Sequence, residues 1–306
     1  MQLRSPNFDR LRIEKYQSII THCDDRREAG LAVNASVIVV AFNPEKALFE
    51  ANLSSLRRQA ESHYEILVVD NSNDTDLAQL ASRYQATYVK LSKNHGPQVG
   101  RNVGTMLAWG ELCVFLDDDA IPDSRFIESH VIAHQEPEVL AVRGKCLPRT
   151  KNELNLLAFH YDLGENIIPS FIDLEGNSSF KRKELIQVGG FEESLPIQGG
   201  YEGTDVSLRL IRLSGNPDSI IYSPAPVIRH DYAPNPIKLI KKGMRHNSCQ
   251  RDIRALYPEY GRLQSYYANF ARFDTRNLVV RLLRERALVA GVVFLLSVLA
   301  SQHYRI

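Results

Sequence analysis

Short apolar runs alternate with amphipathic helical patterns from residue 35 onward, and this alternation restricts the fold more than any other feature. Four runs are predicted to be buried strands because they are short, rich in β-branched residues and bounded by turn residues. They are ASVIVVAF (35–42), YEILVVD (64–70), ATYVKL (86–91) and ELCVFL (111–116). Buried strands that alternate with helices predict an α/β fold, in which helices flank a mostly parallel central sheet.

The ends of these strands are where ligands are expected, because open α/β sheets bind ligands beyond the carboxyl ends of their strands. Asn43 follows the first run, Asp70 ends the second, and Asp117–Asp119 follow the fourth. Asn43 is also predicted to cap a helix that has Pro44 at its first position. The sequence therefore predicts one crevice in which these polar residues meet.

The consecutive carboxylates Asp117, Asp118 and Asp119 would raise one another's pKa unless a cation offset their repulsion. Alternate residues of an extended chain point the same way, so Asp117 and Asp119 are expected to face the crevice and Asp118 to point elsewhere. Carboxylate oxygens suit Mg²⁺ or Mn²⁺. The alternative is a solvated acidic turn, since Asp favours loops and a proline follows.

Composition excludes some classes of function. The 306 residues carry a formal net charge of +1, so no global charge points to nucleic acid, and no nucleic-acid partner is expected. The four cysteines form no CxxC pair, which argues against a structural zinc site and fits a reducing cytoplasm. The polar first residues show no secretory signal, so the expected location is cytoplasmic.

An ordered set of motifs covers the chain from residue 35 to residue 230. The set comprises VIVVAFN, ILVVDNSNDTD, NHGPQVGRNVG, VFLDDDAIP, GNSSFKRKELIQVGGFEE, YEGTDVSLRLIRLSG and SPAPVIRH. Motifs in a fixed order are far more specific than any one of them. The set resembles the family 2 glycosyltransferases, which have the GT-A fold.

The resemblance implies a metal-dependent enzyme of the hexosyltransferase type. It would move a sugar, with inversion, from a nucleoside-diphosphate sugar, UDP-linked in the first instance, to a hydroxyl of a glycan or lipid-linked acceptor in polysaccharide or glycolipid assembly. Asp70 would accept a hydrogen bond from the base, and Asp117 would contact ribose or metal. Asp119 and His230 would ligate Mn²⁺ or Mg²⁺. A capping role for Asp70 and a structural role for His230 are the alternatives.

The remaining donor-side candidates are Asn43, Arg101 and Asp118. Arg101 offers a rigid donor fork for a phosphate or a base edge, and the alternative is a solvated arginine on a helix face. Asn43 and Asp118 lie at the predicted strand ends.

One motif departs from the family. Inverting members usually have Glu-Asp-x-Asp, whose second residue is the general base, but here Glu202 is followed by Gly203. Glycine cannot take a proton, so Glu202 is the first candidate for the base and Asp205 the second. Asp173 or a retaining reaction are further alternatives. Asp205 is also expected to favour the start of a helix that stops at Gly215.

The C-terminal segment has a different character. The predicted division is an N-terminal extension (1–34), a catalytic domain (35–235) and a basic helical segment (236–306) with an apolar tail (287–300). The tail is either a core helix or an interfacial or short inserted membrane anchor, with its preceding arginines on anionic headgroups. The second reading would place the protein peripherally at the inner face of the membrane.

Two competing classes remain open. A non-catalytic nucleotide-sugar-binding module is compatible with Gly203. Another phosphoryl- or nucleotidyl-transfer enzyme is the second, because a haloacid-dehalogenase-like phosphatase also has Asp-x-Asp after a strand. Such a phosphatase requires Thr or Val two residues beyond the second Asp, where this chain has Ile121.

Overall fold

The computed structural model describes residues 10–27, 30, 32–73, 77–194, 201–233, 235–270 and 291–292. Within these ranges ten strands form one sheet. The strands are β1 (Ile20–Asp24), β2 (Ala35–Ala41), β3 (Tyr64–Asp70), β4 (Thr87–Leu91), β5 (Leu112–Asp117), β6 (Ile121–Pro122), β7 (Ala141–Leu147), β8 (Ile168–Pro169), β9 (Asn177–Lys181) and β10 (Ile220–Arg229). The α-helices are α1 (Lys46–Leu56), α2 (Ala78–Arg83), α3 (Pro97–Leu107), α4 (Phe126–Ala133), α5 (Arg182–Gln187), α6 (Glu202–Ser214), α7 (Pro236–Leu256) and α8 (Tyr260–Ala268).

The four strands expected from the apolar runs are β2, β3, β4 and β5, and they lie side by side in the order β4-β3-β2-β5. All of their pairings are parallel, as predicted. The register places Ala41 opposite Asp70 and Val40 opposite Asp117. The carboxyl ends of β2, β3 and β5 are therefore level, which brings their polar residues to one edge of the sheet.

The other half of the sheet is mixed. The sheet continues from β5 through β9, β7 and β10 to β6. Strand β9 pairs antiparallel with both β5 and β7, whereas β7 and β10 are parallel. The parallel arrangement predicted from the apolar runs thus holds up to β5. The later strands extend the sheet on the side of β5 that is away from β2.

The predicted start of the first helix is wrong. Helix α1 begins at Lys46 and has Glu45 at its N-cap, with no side-chain cap hydrogen bond. Asn43 instead has a φ of 47°, in the left-handed region that asparagine enters more readily than most residues. Its N–H donates to Oγ of Ser72 over 2.8 Å. The turn therefore links two strand ends instead of starting the helix.

Both faces of the sheet are covered. One core cluster joins Val37 and Val39 of β2 to Phe49 and Leu53 of α1. The cluster on the opposite face contains Ile38 of β2 and draws on α3, α5, α6, α7 and α8. Successive residues of β2 thus point to opposite faces of the sheet, and Val37, Ile38 and Val39 are all apolar because both faces are buried.

The terminal segments contribute to the same core. Strand β1 pairs antiparallel with β4 and so forms one edge of the sheet, and Tyr16 is buried. Ile253 of α7 belongs to the core cluster around α6. Tyr257, which follows the last residue of α7, belongs to the same cluster. Among the residues described, no helix has the length and apolar character needed to span a bilayer. The predicted apolar tail, apart from 291–292, lies outside the described residues.

Candidate active site

Three side chains at the carboxyl edge of the sheet form a cluster with the donor atoms of a metal site. Asp117 ends β5, Asp119 follows it, and His230 follows β10. Each offers one ligand atom, and these atoms lie within 4.8 Å of one another. Strand β6 explains the meeting, because Ile121 pairs with Arg229 and so draws the chain after the carboxylates toward the end of β10.

The electrostatics of this cluster show how strongly its members interact. Nε2 of His230 lies 3.1 Å from Oδ1 of Asp119. Burial alone would lower the pKa of His230, but hydrogen bonds with Asp119 and Cys146 and the charges of Asp119 and Asp117 raise it to about 10. Burial likewise acts to raise the pKa of Asp119, and the contact with His230 brings it below its ordinary value. Two carboxylates and an imidazole are a donor set that fits a divalent ion such as Mn²⁺.

The neighbouring carboxylates differ in their surroundings. Burial raises the pKa of Asp117, and the charges of Asp119 and Glu175 act in the same direction. Asp118 accepts a hydrogen bond from the backbone N–H of Phe42 over 2.9 Å. Its pKa is raised to about 7 by burial and by the adjacent carboxylates. Asp118 thus ties the acidic turn to the end of β2 and lies outside the three-residue cluster, as the alternation of an extended chain predicts.

Asp70 is buried at the end of β3 and is held by protein donors. Its Oδ2 accepts hydrogen bonds from the Tyr88 hydroxyl over 2.7 Å and from Nζ of Lys90 over 3.0 Å. Its Oδ1 accepts the N–H of Ser72 over 2.9 Å, and the same Ser72 binds the backbone of Asn43. Ser72 therefore links Asn43 and Asp70, two residues that were predicted to lie in the same donor-binding crevice.

Helix α3 brings Arg101 and Gln98 close to the carboxylates of the candidate site. The Arg101 guanidinium lies 5.4 Å from the ring centroid of Phe191, and its charge lowers the pKa of both Asp117 and Glu202. Nε2 of Gln98 donates to Oε1 of Glu202 over 3.1 Å. Arg101 therefore lies where it acts on both the metal-type cluster and the first residue of α6.

Glu202 is buried at the start of α6. Burial and the charge of Glu175 raise its pKa to about 7, despite the opposing effect of Arg101. Tyr201, immediately before the helix, has a φ of 122°, which is rare for a residue with a side chain. Backbone strain of this kind is concentrated at functional sites.

Both carboxylate oxygens of Asp205 accept hydrogen bonds from other side chains. Its Oδ2 accepts from Nε of Arg209 over 3.0 Å, and its Oδ1 accepts from the Tyr257 hydroxyl over 2.5 Å. These contacts connect α6 with the C-terminal boundary of α7. They favour a structural role for Asp205, and Gly215 ends the helix with a left-handed φ of 71°, as predicted. The other alternative, Asp173, forms an ion pair with the buried Arg143.

Sequence reasoning missed Glu175. Its Oε1 accepts the N–H of Gly203 over 2.8 Å, so it lies against the first turn of α6. The next residue, Gly176, lies so close to Asp117 that an added Cβ would overlap the Asp117 carboxylate. The sequence feature that pointed to such a residue is Gly203. Because glycine stands where the family usually has an acid, a carboxylate from another segment can be expected beside it.

The fold and the acidic cluster do not by themselves define an activity, so the class of protein comes from comparison with known families. Residues 36–187 match the family model described as Glycosyl transferase family 2, so this part of the chain is a family 2 glycosyltransferase domain of the GT-A fold. An uncharacterized glycosyltransferase of Bacillus subtilis, YfnE, is 23% identical over 237 residues, which cover 58% of this chain and 60% of the relative. The chain thus spans less than two thirds of that relative's length.

Two further proteins cover more of the chain. The glucosyl-dolichyl phosphate glucuronosyltransferase of Haloferax volcanii is 22% identical over 250 residues, 74% of this chain and 79% of that protein. The structure of the mannosyltransferase PcManGT from Pyrobaculum calidifontis, in complex with GDP-Man and Mn²⁺, superposes with a TM-score of 0.59 at 20% identity. It covers 90% of this chain and 82% of its own, and at this identity it supports the fold alone.

Proposed function

We propose that the chain is a metal-dependent, inverting glycosyltransferase that moves a sugar from a nucleoside-diphosphate sugar to a hydroxyl acceptor. The observation that carries this proposal is the cluster of Asp117, Asp119 and His230, because Asp117 lies close enough to Glu202 for its charge to raise the pKa of Glu202. A group that can hold a divalent ion and a carboxylate with a raised pKa are then neighbours. Their combination suits a reaction with an anionic leaving group and a hydroxyl nucleophile.

The nucleotide would lie over the ends of β2 and β3. Asp70 is held rigidly by Tyr88 and Lys90, so its position for recognising a base is set before the donor arrives. Asn43 forms the neighbouring turn, and Arg101 supplies a positive charge near Asp117. A UDP-linked sugar is the first donor to test, and the GDP-Man complex of PcManGT makes GDP-linked sugars the second.

Asp117, Asp119 and His230 would hold the divalent ion. When bound, such an ion neutralises the charge that develops on a departing diphosphate. The Mn²⁺ in the PcManGT complex supports Mn²⁺ as the first ion to test, with Mg²⁺ beside it. Asp118, through its hydrogen bond from Phe42, would keep the acidic turn against β2 and so keep the ligands in place.

Glu202 would accept the proton of the acceptor hydroxyl. A general base works best when its pKa lies near the working pH, and the pKa of Glu202 is raised to about 7. Gln98 orients the carboxylate through its hydrogen bond to Oε1. Asp205 is retained only as an alternative, since Arg209 and Tyr257 already occupy its oxygens.

The acceptor would be a glycan or a lipid-linked sugar. The name of the Haloferax volcanii relative, which includes a dolichyl phosphate, supports a lipid-linked acceptor in polysaccharide or glycolipid assembly. The arginines and the apolar run at 287–300 would hold the enzyme on the cytoplasmic face of an anionic membrane.

The test is a panel of UDP- and GDP-sugars, each with Mn²⁺, with Mg²⁺ and with a chelator. Thermal unfolding reports binding, because a ligand that binds the native state raises its stability. Release of nucleoside diphosphate reports turnover. We expect one donor to raise the melting temperature and to be hydrolysed slowly, both only with metal. Binding without turnover would instead indicate a binding module, and no binding by any donor would refute the proposal.

A further inference from the structure

Ile172 and Glu175 together lie in the space beside the first turn of α6 that a side chain at position 203 would need. A Cβ added to Gly203 would lie 2.6 Å from the carbonyl oxygen of Ile172 and 3.0 Å from Oε1 of Glu175. These distances are shorter than a Cβ normally permits, so position 203 can carry a side chain only if its neighbours move. The chain thus places an acid beside α6 from the segment between β8 and β9, and a glycine on the helix itself.

Glu175 lies between the metal-type cluster and the start of α6. Its own Oε1 accepts the N–H of Gly203 over 2.8 Å, and the adjoining Gly176 packs on the carboxylate of Asp117. The carbonyl oxygen of Gly176 also accepts the N–H of Asp117 over 3.4 Å. The segment of Glu175 therefore contacts both halves of the candidate active site.

The charged and titratable groups around Glu202 come from four elements. Glu175 and Asp117 add negative charge, and Arg101 adds positive charge. Cys249 of α7 also interacts with Glu202, since the charge of Glu202 helps to raise the pKa of that thiol. Of these neighbours, Glu175 has the largest electrostatic effect on Glu202, and its effect exceeds that of Arg101.

We propose that Glu175 is the positioning residue of the acceptor-side base: its hydrogen bond from the Gly203 N–H anchors the first turn of α6 and places a second carboxylate beside Glu202. This inference rests on the proposed function. In the reaction, the acceptor hydroxyl gives its proton to the Glu202 carboxylate as the acceptor oxygen bonds to the anomeric carbon of the sugar. The bond from that carbon to the diphosphate breaks, and its electron pair leaves with the nucleoside diphosphate. Glu175 touches neither sugar nor acceptor and acts through Glu202.

Two variants separate the charge of Glu175 from its hydrogen bond. Glu175→Gln keeps an oxygen that can accept the Gly203 N–H but removes the charge. Glu175→Asp keeps the charge, but its shorter side chain retracts the oxygen from Gly203. Glu175→Ala removes both, and it replaces the glutamine variant if that variant does not fold. Thermal unfolding of each variant reports the effect on α6.

The primary measurement is an NMR titration of the carboxyl carbon of Glu202 in protein labelled with ¹³C-carboxyl glutamate, the signal being assigned with Glu202→Gln. It needs no substrate. We expect Glu175→Gln to lower the pKa of Glu202 by roughly 1 pH unit, because a neighbouring negative charge is lost. Glu175→Asp should leave that pKa close to the wild-type value while lowering the melting temperature.

The second measurement is the pH profile of kcat with the active donor. In Glu175→Gln the rising limb should move to lower pH with the pKa of Glu202, while KM for the donor is unchanged. An unchanged titration in Glu175→Gln would overturn the inference, as would a shift of equal size in Glu175→Asp, which would assign the effect to the hydrogen bond. If wild-type protein turns over no donor, the proposed function fails, and the NMR titration still decides the role of Glu175.

Discussion

Nε2 of His230 lies 3.1 Å from Oδ1 of Asp119, although one residue follows β10 and the other follows β5. The pairing of β6 with β10 makes this contact, because it returns the chain after the acidic turn to the end of β10. Together with Asp117, these residues offer two oxygens and one nitrogen to a single ion. The contact is thus the structural basis of the proposed metal dependence.

Asp119→Asn should strongly weaken metal-dependent donor binding. The amide has no charge, so the cluster loses half of its carboxylate charge while His230 keeps its place. We expect the donor affinity measured with Mn²⁺ to fall by roughly 100-fold, since loss of even an outer partner of a metal ligand typically costs 10- to 100-fold. Calorimetric titration with and without Mn²⁺ measures this change.

Asp118→Asn is the matched control for that experiment. It alters the adjacent carboxylate, whose oxygen accepts the Phe42 N–H and which lies outside the metal-type cluster. The asparagine can still accept this hydrogen bond, so we expect a smaller loss of affinity. Equal losses in both variants, or none in Asp119→Asn, would contradict the assignment of Asp119 as a ligand.

Glu202→Gln should lower kcat and leave donor affinity nearly unchanged. The amide keeps the size of the side chain but cannot take the acceptor's proton. Loss of a general base reduces the rate by roughly 10²- to 10⁴-fold. Steady-state kinetics give kcat, and calorimetry gives the affinity for the donor. A normal kcat would exclude Glu202 as the base and would move Asp205 or a retaining reaction forward.

Buried histidines on α4 should make the fold sensitive to acid. Nδ1 of His130 and Nε2 of His134 each lie 2.8 Å from Oγ of Ser179. Burial lowers the pKa of His130 to about 3 and that of His134 to about 4. As the pH falls from about 6.5 toward 4, the unfolded chain binds protons that the folded chain cannot, so stability is lost.

The expected loss is at most about 1.4 kcal/mol per pH unit for each histidine. Urea unfolding at several pH values between 4 and 7 measures it. His134→Gln should reduce the pH dependence in that range. The same pH dependence in wild type and His134→Gln would show that His134 is not the origin of the effect.

Tyr257→Phe should destabilise the protein without changing donor binding. The variant removes the hydroxyl that donates to the buried Asp205 over 2.5 Å. A buried acceptor that loses its partner costs about 1–3 kcal/mol. Tyr266→Phe, which removes an exposed hydrogen bond to Asp218, is the control and should have little effect. If Tyr257→Phe instead lowered kcat with unchanged stability, Asp205 would belong to the catalytic site.

The full chain should sediment with anionic vesicles at low salt. The apolar run at 287–300 and the arginines before it combine buried apolar area with charge, and high salt weakens the second contribution. Removal of residues 275–306 should abolish this binding and preserve donor binding, because the donor-side residues lie at or before His230. Unfolding of the shortened chain would place the segment in the core and remove the argument for a membrane surface.

The sequence by itself determined the first half of the sheet and the residues at its edge. Four apolar runs became β2 to β5, because burial on both faces leaves a strong local pattern. Asp70 and Asp117 could be placed in one crevice for the same reason, since strands that run parallel end at the same edge. The family motifs added His230 and drew attention to Gly203.

The tertiary structure alone decided what depends on contacts between distant segments. No local pattern shows that β9 enters antiparallel between β5 and β7, or that Asn43 turns toward Ser72 and leaves α1 to begin at Lys46. The engagement of Asp205 by Tyr257 and the approach of Glu175 to Gly203 also join separate elements. Periodicity reports only which face of its own strand or helix a residue occupies, whereas the partner of a buried carboxylate is set by the packing of the whole fold.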